Sequence, residues 1–97
     1  MRMMLSWQAD VKASNKLIEN GTLMESIDAL VAQLKPEAVY YFANEGCRGG
    51  LMVFDMQDSS QIPLIAEPLF LAHRAKVNFT PVMNTDDLRK ALAQIMG

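Results

Sequence analysis

The chain has one cysteine, so no disulfide can close within it. With nothing in the sequence marking it for export, a reducing, cytoplasmic setting is expected. A basic excess is also missing: 9 Lys and Arg stand against 11 Asp and Glu, for a net charge of -2. Without cations to neutralise phosphates, nucleic acid is not an expected partner. No apolar run approaches the roughly 18 residues that a membrane span needs, so no membrane partner is expected either. Residues 1–7 are apolar but run straight into Gln8, Ala9 and Asp10, without the length or cleavage site of a secretory signal. Repeats, charge blocks and low-complexity tracts are absent. The single histidine forms no ligand cluster with the lone cysteine, so neither a metal nor a cofactor is expected.

What is present suits one small globular domain, residues 1–97. The composition is 51% apolar and 21% charged, and a globule of this size buries roughly 65% of its unfolded surface. Residues 1–7 read as a first strand. From about 10 to 34 the apolar residues Leu17, Leu23, Met24, Ile27, Leu30, Val31 and Leu34 recur at helical steps. Asn20-Gly21-Thr22 breaks this stretch, with Thr22 as N-cap and Glu25 completing a capping box. Lys35-Pro36 ends it, because proline disfavours helical geometry in its predecessor.

Residues 38–43 and 50–56 are β-rich by residue type. The glycine-containing loop 44–49 between them reads as the turn of an antiparallel hairpin. Asp58, Ser59 and Ser60 offer N-caps, with Gln61 three residues after Asp58. Residues 62–75 are apolar with helical spacing. Pro63 is tolerable near a first turn, whereas Pro68 is expected to split or kink the helix near Ala66 or Glu67. Residues 76–83 read as a last strand, with Pro81 at an edge or end. Asn84 caps a closing helix with Asp86 and Asp87 in its first turn. The order β-α-β-β-α-β plus a terminal helix is the ferredoxin-like, split βαβ arrangement, an α+β fold with helices on one face of an antiparallel sheet.

Both faces of that sheet read as apolar. Val39 and Tyr41 oppose Tyr40 and Phe42, and Leu51 and Val53 oppose Met52, Phe54 and Met56. The helices cover one face, and a second copy packed sheet to sheet is the economical cover for the other. Here the sequence resembles the dimeric α+β barrel superfamily. Element order carries the likeness over nearly the whole chain. Locally, residues 35–41, 66–71 and 79–84, followed by Asp87-Leu88, look like a small bacterial family of uncharacterised proteins within it. The resemblance implies a homodimer of ferredoxin-like subunits. Members of the superfamily include cofactor-free monooxygenases, haem-degrading enzymes and muconolactone-isomerase-like proteins. None of their catalytic sets maps onto this chain residue by residue.

The chemistry-bearing residues are few. His73, near the end of the second long helix, matches in type the helical axial histidine of the superfamily's haem enzymes. The commoner reading is that His73 and Arg74 complement the helix's negative end. Cys47, between Gly46 and Arg48, would gain reactivity from a neighbouring cation, against the plainer reading of a spectator thiol. The glycines of 46–50 lead into a strand, not a helix, and so do not form a phosphate loop. Asp58 is a cap, and Asp55 is a further carboxylate. Glu67 sits among apolar residues, either desolvated with a raised pKa or paired with Arg48 or Arg74. The leading expectation is a cleft between sheet and helices, lined by Trp7, Tyr41, His73 and Asn78, binding an apolar or aromatic small molecule. The alternatives are a cofactor-free monooxygenase or isomerase using Glu67, His73 or a tyrosine for proton transfer, and a purely structural or interaction module.

Overall fold

A computed structural model describes all 97 residues. The elements run β1 (Arg2–Gln8), α1 (Val11–Glu19), α2 (Leu23–Leu34), β2 (Ala38–Asn44), β3 (Cys47–Asp55), α3 (Gln61–His73), β4 (Lys76–Pro81) and α4 (Thr85–Met96). The strands form one open, fully antiparallel sheet in the order β2-β3-β1-β4. β1 and β2 therefore run parallel with β3 between them, and β3 and β4 do so with β1 between them. Each pair is a split βαβ unit. The chain departs from a plain β-α-β-β-α-β order in two places: the first crossover holds two helices, and α4 follows β4.

Strand alternation sorts the side chains. Met3, Leu5 and Trp7 of β1, with Met52 and Phe54 of β3, point to the helices and are buried. They pack with Ile27 and Leu30 of α2 and Ile65 and Leu69 of α3 in one core. Met4, Tyr40, Phe42, Leu51 and Val53 share the opposite face. Tyr40 is 66% exposed there, while Phe54 is 1% exposed in the core.

Local chemistry explains most boundaries and corrects several expectations. The hairpin turn is two residues, not six. Asn44 pairs with Cys47, and Glu45 and Gly46 both have left-handed φ, 51° and 80°, as a type I′ turn demands. Residues 47–49 thus belong to β3. At Thr22 the expected capping box does not form: its hydroxyl makes no cap, and only its backbone carbonyl receives Glu25 N–H, at 3.1 Å. Before α3, Ser60 is the N-cap among the three candidates, and its side chain makes no cap bond. Asp58 instead accepts from the Ser60 backbone and hydroxyl, which lowers its pKa. Gln61 Oε1 accepts from Gln57 N–H, at 2.8 Å.

Pro68 does not split α3, which is one continuous helix. Proline removes the partner of the Leu64 carbonyl. Leu64 lies on the exposed side, where water can replace that bond, so no break is forced. α4 has the expected Asn84 cap, and Asp87 completes it as a capping box: Asn84 Oδ1 accepts from Asp87 N–H and Asp87 Oδ2 from Asn84 N–H. No α4 residue is buried. Its one side-chain tie to the sheet is Arg2 Nη1 to Asp87 Oδ2, 2.9 Å. The radius of gyration is 15.6 Å, above the ~13 Å of a compact chain this long, and the longest dimension is 57 Å. No helix is long and apolar enough to cross a membrane.

Candidate functional site

One end of the sheet carries the main cavity, about 560 Å³. The end of β1, the β2–β3 hairpin and the three helices α1, α2 and α3 build it. The end of β1 supplies Trp7, the first half of α2 supplies Leu23, Met24 and Ile27, and the end of α3 supplies His73. The β2–β3 hairpin supplies Tyr41, Phe42, Cys47 and Arg48. Ten of the fourteen lining residues are hydrophobic, which makes the wall apolar with a few polar points.

Trp7 is set by a glycine. Gly50 lies opposite Trp7 in the β1–β3 ladder, and a Cβ on Gly50 would stand 2.8 and 2.9 Å from two atoms of the indole. The ring therefore lies across the strand only because no side chain is there. Tyr41, opposite Gly50 on the other side, meets Trp7 edge to face at 6.2 Å between ring centroids and 74° between planes. Such a pair contributes roughly 0.5–1.5 kcal/mol beyond burial.

His73 is not a helix-end cation. It is 1% exposed, and its Nε2 is 2.8 Å from Ser26 Oγ of α2. Burial penalises the charged imidazole and lowers its pKa below the ordinary 6.5. The ring is neutral at pH 7, and its Nδ1 has no hydrogen-bond partner in the chain. Arg74, its neighbour, instead takes a left-handed conformation with φ 49° and closes the helix by backbone bonding to Leu69.

Of the residues anticipated from sequence, the fold brings Trp7, Tyr41 and His73 together. Two others lie elsewhere. Asn78 pairs with Ser6 of β1, which puts it on the face opposite Trp7. Glu67 is exposed on the outer side of α3, whose buried side is Ile65, Ala66, Leu69 and His73. It forms neither an ion pair nor a side-chain hydrogen bond, and so is neither a desolvated base nor a partner of Arg48 or Arg74. Cys47 is half-buried on the cavity wall and accepts from Gln8 Nε2 at 3.6 Å.

Ser26 and Arg48 gain roles that residue type alone did not reveal. Ser26 is 47 positions from His73, and nothing local announces the pair. Arg48 Nη1 donates to Ser14 Oγ and Asn15 Oδ1, each at 2.8 Å, tying the hairpin to α1. No three His, Cys, Asp or Glu side chains are grouped so as to hold a metal ion. No protein-family model matches the chain, and no curated protein matches it.

Proposed function

We propose that the cavity beside Trp7, Tyr41 and His73 binds an apolar or aromatic small molecule. The observation that carries this reading is the cavity itself. Its volume of about 560 Å³ lies within the range of roughly 300–1,000 Å³ typical of ligand sites. Its walls suit a planar apolar body, and one neutral imidazole stands ready to orient a polar substituent. Open volume at this place favours binding over a purely structural module, whose cleft would be filled by side chains.

A thermal-shift screen of aromatic and aliphatic compounds, followed by Trp7 fluorescence, tests the reading. A ligand raises the melting point only by binding the native state. Hits should change the emission of Trp7, the sole tryptophan, and should weaken in His73→Ala. No hits, or hits that leave Trp7 undisturbed, overturn the assignment.

The working unit of this reading is a homodimer joined through the open sheet face, as the resemblance to dimeric α+β barrels implies. Two uncovered surfaces support it. One is the face of Met4, Tyr40, Phe42, Leu51 and Val53. The other is the stripe Leu88, Leu92 and Ile95, which lie at i, i+4 and i+7 of α4 and are all exposed. An uncovered 12-residue helix is marginal in water. A second copy covers both surfaces with no further component.

A second reading, a cofactor-free isomerase or monooxygenase, is favoured by His73 alone. A neutral imidazole on an apolar wall can accept a proton near pH 7. Turnover of any bound ligand that is abolished in His73→Gln while binding persists would select it.

A further inference from the structure

The cavity has an uncompensated charge at its wall. Arg48 is among the lining residues, which include no Asp or Glu. Its Nη1 binds two neutral oxygens, of Ser14 and Asn15. Arg48 takes no part in any of the chain's four ion pairs. A guanidinium has five N–H donors. The two on Nη1 are engaged, while those on Nε and Nη2 have no partner in the chain. The bonds to Ser14 and Asn15 also fix the side chain between hairpin and α1, so the fork is held in place before any ligand arrives.

We infer that the ligand of this cavity is an aromatic monocarboxylate, its ring against Trp7 and Tyr41 and its carboxylate on Arg48. The inference rests on the reading of the cavity as a ligand site. A carboxylate matches the free edge of a guanidinium in shape and charge, and the bond is stronger than one between neutral groups. A phosphate fits less well. It carries nearly two charges, and the lining offers one cation. The nearby N-terminal turn of α2 also carries Glu25, which opposes a second negative charge there. His73 adds the remaining polar point. No bond within the chain engages its Nδ1, which can meet a hydroxyl or carbonyl of the ligand. The wall residues Leu23, Met24 and Ile27 are apolar. The site thus offers one cation, an apolar wall and one neutral polar point.

The test compares 3-phenylpropanoate and 4-phenylbutanoate, each with its primary amide, by Trp7 fluorescence at pH 7.5 and low salt. Acid and amide share one apolar body and differ in charge. Each acid should bind about tenfold more tightly than its amide, the scale of a charge-assisted hydrogen bond at a partly solvated site. The gap should narrow as salt is raised, vanish in Arg48→Gln and survive in part in Arg48→Lys. Equal affinity, tighter binding of the amides, or a gap that persists in Arg48→Gln overturns the carboxylate inference and leaves the cavity reading standing. Failure of all four compounds to disturb Trp7 in the native protein up to millimolar concentration overturns both. If Arg48→Gln does not fold, the acid–amide gap of the native protein and its salt dependence decide the matter.

Discussion

Between pH 7.5 and 5.5 the stability of this chain should fall through a single imidazole. His73 is the only histidine. Folding buries it against Ser26, and burial lowers its pKa below 6.5. The sign follows from linkage. Above 6.5 the ring is neutral in both folded and unfolded chains and contributes no pH dependence. Below 6.5 the unfolded chain binds a proton that the folded chain resists, so stability drops as pH falls, until the folded-state pKa is passed. One proton gives a slope of at most ~1.4 kcal/mol per pH unit, and the loss at pH 5.5 is at most about 1.4 kcal/mol. For a domain of this size that corresponds to roughly 5–10 °C in melting temperature. The carboxylates with lowered pKa values, Asp55 and Asp58, start from 3.8 and titrate below this window. Urea unfolding at half-unit pH steps measures the slope, and the imidazole proton resonances report the protonation of His73 without ambiguity. In His73→Gln the slope between pH 6.5 and 5.5 should disappear. A native His73 pKa above 6.5, or an unchanged slope in His73→Gln, would refute the reasoning.

Gly50→Ala should destabilise the fold by about 1–3 kcal/mol, the usual cost of overpacking, because its methyl group would stand 2.5 Å from the Tyr40 carbonyl oxygen and 2.8 Å from the Trp7 indole. Unfolding in urea, with the accompanying shift in Trp7 emission, checks this, and a neutral outcome would show that the indole is not held by the missing side chain. Tyr40→Glu should halve the solution mass measured by sedimentation from twice 10.8 kDa to the single chain, without loss of secondary structure. A native chain that is already monomeric, or a variant that stays dimeric, removes the open sheet face as the interface. Phe54 is the contrasting position: it is a core residue, and Phe54→Ala should cost about 3–5 kcal/mol of stability.

What could be read from the sequence was what short-range chemistry controls. The alternation of residues 38–43 and 50–56 assigned Val39 and Tyr41 to one face, and Tyr40 and Phe42 to the other, as the strand pairing does. The break at Asn20-Gly21-Thr22 and the cap at Asn84 were local as well. Asn78 shows where locality ends. Parity within β4 separates Asn78 from Phe79, but only the register Ser6–Asn78 against β1 tells which of them shares a face with Trp7. Pro68 leaves α3 unsplit because its cost depends on whether the orphaned carbonyl reaches water, a property of the packed helix. For His73 a usable signal existed. Ile65, Leu69 and His73 stand at i, i+4 and i+8, so the histidine continues the buried stripe of α3. The same wheel turns Glu67 outward. The bond from His73 to Ser26 carried no such signal, since it joins two helices across the core.

The cavity is tied to features that a packing fault would not need. Gly50, in the middle of β3, gives up a side chain and its β propensity, and in exchange the indole of Trp7 can lie on the strand. That placement turns a large aromatic surface toward Tyr41 and α2. The polar groups stand on the same wall: His73 is buried, and Arg48 is exposed. A buried histidine is disfavoured relative to an apolar residue of similar size unless it is bonded, and here the bond between Nε2 and Ser26 Oγ holds it. Arg48 is held in position at the same cavity with no anion to meet it. The concessions converge on one volume of about 560 Å³, and a bound molecule with an apolar body, an anionic end and a polar substituent meets them together.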